Sequence, residues 1–572
     1  MPNWKAGTDY PEWMTTEGLQ TLQGGYLYKS ETPKEMYQRV AKAASDELQR
    51  PALGLEDKFF EIMWRGWLCP ASPVLTNLGT TRGIPISCYG VQPDDDLHNI
   101  FTKAREAAML SKGGGGVGIG ISKIRPRGSL VGELGVSDGV IPWCKLFEAS
   151  SAAKQGQLRK GAFSVNLDVT HPDFPDFLRL HDTDGDPNLR TPRLHTCVNI
   201  PDEFMVAVEA GDEKARAMWR EILMTRMKRG EPYILFSDTV NRANPAAYLE
   251  RGLRVDHTNI CSEIVLASDR KHTYVCCLAS QNLTRFPDLS RNESVYWGTW
   301  FLDGVMSIFI RLAGKAKVYA NAVRFAEKSR AIGMGALGYH AALQDRMMPF
   351  ASLGARLQNR SMFEHIQVES DRASQDLARE YGEPEWCQGT GFRHTHRRAV
   401  APTFSNAIIS GTDAQSIEPL IVNAGTAGTS KGVALRKNPR LDRILTESGR
   451  NSPEIWQSIV REQGSIQHLD MLSAEEKEVF KTAFEIDQRE IVRQAADRQK
   501  YIDQSQSLNL FFTQDASPKY VNETHLLAHK LGVKTLYYLR STAPLRADSA
   551  SRQTTVAAET GGPAPCGSAC EG

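Results

Sequence analysis

Short apolar, β-prone runs at residues 117–121, 197–200 and 274–278 alternate along this chain with longer stretches of helical period, and no other feature restricts the fold as much. The helical stretches cover 96–110, 202–228, 294–316 and 361–381, leaving room for crossover helices between strands. This pattern predicts an α/β core, and it leaves open whether the sheet closes into a barrel. Ahead of the core, Met36, Val40, Ala43, Phe59, Phe60, Met63, Trp64 and Trp67 recur at helical spacing, which predicts a helical N-terminal region over residues 1–70. At 572 residues the chain exceeds one ordinary domain, so one dominant unit over 71–541 is expected beside the helical one. Residues 542–572 are rich in Ala, Ser, Gly, Thr and Pro with few large apolar side chains, which predicts a mobile tail.

Composition excludes several functions. With 68 Lys and Arg against 67 Asp and Glu, nothing draws the chain as a whole to nucleic acid or to a membrane surface. The first ten residues lack the apolar core of a signal peptide, and no apolar run reaches the length of a membrane span, so a cytoplasmic protein is expected. Ten cysteines over this length are too few for a disulfide scaffold; in a reducing compartment they are free, catalytic or redox-active.

The stretch Asn259-Ile260-Cys261-Ser262-Glu263 sets a thiol between an amide and a carboxylate in an apolar setting. On a strand, residues 261 and 263 share a face; on a tight loop both converge on one ligand. A lone Cys-x-Glu is more often a buried cysteine beside a strand-end glutamate, and its company changes that reading. Cys88 and Cys276 each lie beside a β-prone run, and as a dithiol they would deliver two electrons on closing a disulfide. Cys566 and Cys570, on the polar tail, suit an exposed dithiol that swings into a buried site; no His or further Cys stands near to complete a metal site. Tyr537 and Tyr538 are adjacent phenols in ordinary strand material, or a pair that passes a hydrogen atom. Glycine-rich stretches at 113–120 and 156–161 miss the P-loop and dinucleotide fingerprints, although freed amides beside Arg159 and Lys160 suit phosphate. Residues 401–407 read equally as a helix cap or as an anion site at a helix start.

Taken in order, these residues resemble the large (α) subunit of class I ribonucleotide reductase. The likeness runs from about Ser72 to Arg540 through Ser87-Cys88, the glycine-rich loops, residues 259–263, 276–283 and 332–338, 401–406, Ser416-Ile417-Glu418-Pro419, residues 503–507 and Tyr537-Tyr538. It implies a ten-stranded α/β barrel of two half-barrels, with the Cys261 loop threaded through the centre as a finger. It implies that Cys261 becomes a thiyl radical that abstracts the 3′ hydrogen of a ribonucleotide, with Glu263 as general base and Asn259 orienting the sugar. Cys88 and Cys276 would then supply two electrons, Cys566 and Cys570 would restore them, and thioredoxin or glutaredoxin would reduce the tail. Cys277, next to Cys276, competes for the redox role, and the following residues 278–283 assign it to Cys276.

The resemblance further implies substrate contacts at Ser72, Ser87, Gly116, Thr403, Phe404, Ser405 and Asn406. A dNTP or ATP specificity effector, with Mg, would lie at Asp95, Arg159, Arg190 and Arg193. Tyr537 and Tyr538 would receive the radical from a separate small (β) subunit that holds the metal-radical cofactor, so this chain binds no cofactor of its own, and a homodimer is the default. The tail spacing, Cys-x-x-x-Cys, is one residue shorter than the family form. The roughly 70 residues before Ser72 contain no candidate for an ATP-cone, so overall ATP and dATP control is expected to be missing, as in compact phage-encoded enzymes. An adenosylcobalamin-dependent (class II) reductase is the runner-up, and an inactive nucleotide-binding regulator is the rival from another class.

Overall fold

Thr32 and Glu35 start the first long helix with a reciprocal cap, each side chain satisfying the other's backbone amide, and Pro33 fills the first helical position. That helix, Pro33–Leu48, buries Met36, Val40, Ala44 and Leu48 along one stripe, and Leu55–Trp64 follows it. Both pack on the long apolar helix Ser294–Ala313, where Phe59 meets Phe301 edge to face with ring centroids 5.5 Å apart. In a computed structural model, residues 4–133, 135–152, 162–182, 190–429 and 432–542 are described.

In chain order the strands are β1 (Leu68–Pro70), β2 (Cys88–Val91), β3 (Gly116–Gly120), β4 (Phe163–Asp168), β5 (His195–Ile200), β6 (Tyr233–Phe236), β7 (Tyr274–Asn282) and β8 (Ile332–Leu337). They continue with β9 (Ala424–Thr429), β10 (Gly432–Lys437), β11 (Leu510–Phe512), β12 (Thr535–Leu536) and β13 (Leu539–Ser541). Strands β2 to β6 pair in parallel, each with the next, as one five-stranded half. The other half runs β7, β8, residues 398–400, residues 505–508 and β12, also parallel throughout, through the bridges Met334 to Arg398 and Val400 to Gln506 and the bond from the Tyr537 amide to the Leu508 carbonyl. The halves meet antiparallel at both seams, β2 on β7 and β6 on β12, so the sheet closes with ten strands. Sequence alternation had left this closure open, because it depends on pairing between residues far apart in the chain.

Residues 257–264 cross the interior as a finger. One side is held by β4, where Asn166 Oδ1 accepts from the Thr258 amide at 3.0 Å; the other is held by the opposite half, where the Ser505 amide donates to the Glu263 carbonyl at 2.9 Å. Gly118 is what lets the finger lie against β3, because a Cβ there would sit 1.9 Å from the Thr258 carbonyl oxygen. Residues 116–120 therefore form a strand paired on both sides, and residues 113–115 join it to the helix before it. The stretch at 156–161 lies outside the described residues.

Three sequence-derived segments differ in extent. Residues 202–228 form two helices, Asp202–Ala210 and Glu213–Arg229, because Gly211 takes a left-handed conformation that ends the first. The helix read from 361 starts earlier, as Leu353–Tyr381, where the Ser352 side chain caps the Ala355 amide. Residues 534–540 are not one strand: β12 and β13 flank Tyr537 and Tyr538, which lie between them. A hairpin of β9 and β10 with helices Pro439–Glu447 and Pro453–Arg461 builds a small second core around Trp456. Among the described residues no helix is long and apolar enough to cross a membrane.

Candidate active site

Cys88 and Cys276 face each other across the antiparallel seam as direct register partners of β2 and β7, both as free thiols and both buried. Side chains alternate along β7, so Cys277 points the opposite way, its Sγ 3.5 Å from the Leu302 carbonyl on helix Ser294–Ala313. Geometry thus separates the two adjacent cysteines: Cys276 faces Cys88, and Cys277 faces the helix.

The finger brings the third thiol. Ser262 turns its tip with φ of 67°, a left-handed conformation costly for a residue with a side chain, and the Asn259 side chain closes the loop by accepting from the Ile264 amide at 3.0 Å. This is the tight-loop alternative of the sequence reading. Asn259 Nδ2 donates to Cys88 Sγ at 3.3 Å, and Cys88 Sγ lies 3.7 Å from Glu263 Oε1. Ser507 Oγ donates to the Cys261 carbonyl at 2.6 Å and lies within hydrogen-bond distance of Glu263 Oε2, at 3.2 Å. Gln504 Nε2 reaches Cys276 Sγ at 3.5 Å.

Burial sets the protonation states here. It pushes the Glu263 carboxyl up to about 7, against the hydrogen bonds from Asn259 and Ser507 that favour the anion. The same burial, with the charge of Glu263 nearby, holds the Cys88 thiol well above its usual range, and burial also raises Cys276. Both sulfurs are S–H at neutral pH, suited to donating hydrogen and unsuited to acting as free thiolates. Only the ionised carboxylate of Glu263 accepts a proton, so the rate of a reaction using it as base rises with pH through about 7. We expect an acidic limb in the pH profile of kcat/KM near that value, lost together with most activity in Glu263→Gln; an unchanged limb in an active variant would assign it elsewhere.

The phenols approach from the other side. Tyr537 OH donates to Cys261 Sγ at 3.6 Å, and the rings of Tyr537 and Tyr538 lie 4.4 Å apart. Tyr233 joins them, its ring 4.6 Å from Tyr537 and 5.0 Å from Tyr538. Burial raises the Tyr233 and Tyr538 phenols above their usual range, so each keeps its proton and can give up an electron only along with it. Sequence reading missed Tyr233, because on an apolar strand it looks like core and only closure of β6 on β12 places it here.

The other candidates fall in separate places. Ser72 Oγ donates to Asn406 Oδ1 at 3.2 Å, and Asn406 Nδ2 to the Pro70 carbonyl at 2.9 Å, which ties the 403–406 turn to the end of β1. Thr403 is left-handed, with its Oγ1 accepting from the Ser416 amide at 2.8 Å; Phe404 is exposed, and Ser405 is buried on the short helix Phe404–Ile409. Ser87 is buried, its hydroxyl having no hydrogen-bond partner among the described residues, and Gly116 pairs with Cys88. Asp95 pairs with Arg125 at 2.6 Å, and the Arg193 amide is held by Glu148 Oε1 at 2.8 Å. Arg190 is half-buried. Arg159, Cys566 and Cys570 lie outside the described residues. No group of three or more His, Cys, Asp or Glu that could hold a metal ion occurs among the described residues.

A family model described as the ribonucleotide reductase barrel domain matches residues 86–214, 211–390 and 384–539, and one described as its all-alpha domain matches 13–83. The chain belongs to the ribonucleotide reductase family. It is 35% identical to the ribonucleoside-diphosphate reductase large subunit of Invertebrate iridescent virus 3, over 94% of this chain and 96% of that protein. It is 38% identical to the putative large subunit of Frog virus 3, over 86% and 88%. The class Id ribonucleotide reductase alpha subunit of Actinobacillus ureae superposes with a TM-score of 0.87 at 36% identity, covering 93% of this chain and 98% of that one. These are large or alpha subunits, which favours a class I enzyme over the cobalamin-dependent reading. Reduction of ribonucleotides is the chemistry of this chain.

Proposed function

We propose that this reductase acts on ribonucleoside diphosphates with a radical delivered by a class I small subunit, and that Cys261 is the residue that attacks the ribose. The observation that carries this is the contact of Tyr537 OH with Cys261 Sγ at 3.6 Å, in a site where Cys88 and Cys276 are register partners. An oxidant arriving at Tyr538 takes one hydrogen atom from its phenol. Tyr538 is restored by a hydrogen atom from Tyr537, and Tyr537 by the one from the Cys261 thiol.

The Cys261 thiyl then takes the 3′ hydrogen of the ribose, and Glu263 takes the 3′-hydroxyl proton while Asn259 orients the sugar. The 2′-hydroxyl leaves as water with a proton from one thiol of the Cys88 and Cys276 pair, the hydrogen of the other thiol goes to C2′ as the two sulfurs join in a disulfide and pass two electrons to the sugar, Glu263 returns its proton to the 3′ oxygen, and Cys261 returns its hydrogen at 3′. A dry, packed interior protects such radicals from solvent, and Cys261, Glu263 and Cys276 are each at most 1% exposed. Ser72, Ser87, Gly116 and residues 403–406 are assigned to the substrate. The specificity effector, with Mg, is assigned to Asp95, Arg159, Arg190 and Arg193. Cys566 and Cys570 are assigned to re-reduction through thioredoxin or glutaredoxin, and the working unit is a homodimer in the cytoplasm.

A reduced chain carries its own electrons, which gives a direct test. Mixed with small subunit and a nucleoside diphosphate but no dithiol, the wild-type chain should form deoxynucleotide in a burst limited by its thiols, and Cys276→Ser should form none. A full burst from Cys276→Ser would remove that residue from the electron path, and no burst from the wild type would reject the two-thiol reading. An inactive regulator would give no burst in either.

A further inference from the structure

Beside the two tyrosines lies a charged pair that neither the thiol chemistry nor the sugar contacts use. His195 opens β5, and Glu231 immediately precedes β6 by way of Pro232. His195 Nδ1 is 2.5 Å from Glu231 Oε1, and the other carboxylate oxygen accepts from the Thr196 amide at 2.9 Å. Glu231 is therefore fixed at both oxygens, and it fixes the imidazole in turn. The same Nδ1 lies 3.2 Å from Tyr233 OH and 3.5 Å from Tyr538 OH. The imidazole stacks on the Tyr233 ring at 21° and meets the Tyr538 ring edge-on at 84°.

A carboxylate at this distance demands a proton on Nδ1, so that nitrogen is a donor whether the ring is neutral or charged, and only Nε2 changes on titration. Burial pulls the imidazole down, and the Glu231 charge and hydrogen bond outweigh it and raise the ring; Glu231 itself is held down at about 2. The other cations facing the cluster are His181, whose charge acts on Glu231, Arg226, which donates to the Tyr537 carbonyl at 3.1 Å, and Arg540, 4.4 Å from the Tyr538 ring centroid. The His195 side chain is 26% exposed, so this cluster stands where the tyrosine pair opens towards the surface. A phenol oxygen that has lost its hydrogen can only accept, and a fixed donor beside it holds it in place.

We propose that His195, oriented by Glu231, is a positioning residue for Tyr538: its Nδ1–H is held by Glu231, and the imidazole so fixed keeps the Tyr233 hydroxyl beside the Tyr538 phenol, so that the hydrogen Tyr538 loses is replaced from Tyr537. This rests on the reading of Tyr537 and Tyr538 as the radical entry. The sequence contains no local sign of it, since residues 195, 231 and 538 meet only through β5, β6 and the segment after β12.

The test is steady-state nucleoside diphosphate reduction by the full chain with a class I small subunit and dithiol. His195→Phe keeps the ring and loses the donor, and it should lower kcat about ten- to a hundredfold, the weight of one hydrogen bond involving a charged group, with KM unchanged. His195→Gln, whose amide can donate to the same oxygens, should recover most of that loss, and Glu231→Gln should fall between the two. A purely structural role would lower thermal stability and show no such rescue. Wild-type kcat in a folded His195→Phe, or equal loss in Phe and Gln variants, overturns the proposal. Tyr538→Phe run alongside separates the two levels: if it is inactive while His195→Phe is fully active, only the positioning role fails, and if Tyr538→Phe is active, the radical-entry reading fails first.

Discussion

Cys261→Ser should reduce no ribonucleotide above background, a loss of roughly 10⁴-fold or more by comparison with other residues that act as a unit with their partners. Serine matches cysteine in shape, so the finger should keep its place. Its backbone is anchored by bonds that do not involve the sulfur, from Ser507 Oγ to the Cys261 carbonyl and from the Ser505 amide to the Glu263 carbonyl. Burying a hydroxyl at a fully enclosed position costs about 1–3 kcal/mol if no partner is found, which a melting curve will register as a modest shift. Loss of activity must then be chemical. A phenoxyl draws hydrogen from a thiol far more readily than from an alcohol, because the O–H bond of serine is the stronger. The measurements are deoxynucleotide formation and nucleotide binding on the same preparation. Turnover retained in the folded variant would refute the thiyl assignment.

Tyr537→Phe and Tyr538→Phe should each cost about 10³-fold or more in kcat while leaving substrate binding alone. Phenylalanine preserves the ring packing, whose centroids are 4.4 Å apart within the pair and 4.6 Å from Tyr537 to Tyr233. It removes only the O–H that Tyr537 directs at Cys261 Sγ and the one Tyr538 sets beside His195. If the pair is packing, both variants will turn over normally; if it carries a hydrogen atom, both will stall with unaltered KM.

Much of the site could be read before any coordinates. Asn259, Cys261 and Glu263 sit within five residues, so their convergence needs only a tight loop, and the left-handed Ser262 makes that loop. Cys88 and Cys276 are 188 positions apart, and no local rule pairs them; the resemblance supplied that pairing, and the antiparallel seam of β2 on β7 accounts for it physically. The glycines at 116–120 misled in the opposite way. Read only as freed backbone, they also remove side chains so that the finger can pass, a reason visible only when Thr258 is found against Gly118.

Alternation of helix and strand and the clustering of thiol, amide and carboxylate in one loop were determined by the chain's order of residues, because each follows from neighbours at spacings of two to four. The contacts by which the sheet closes, and the meeting of His195, Glu231, Tyr233 and Tyr538, were decided only in three dimensions. They depend on contacts between residues tens to hundreds of positions apart, whose formation is set by how the two half-barrels pack and not by any local preference of the backbone.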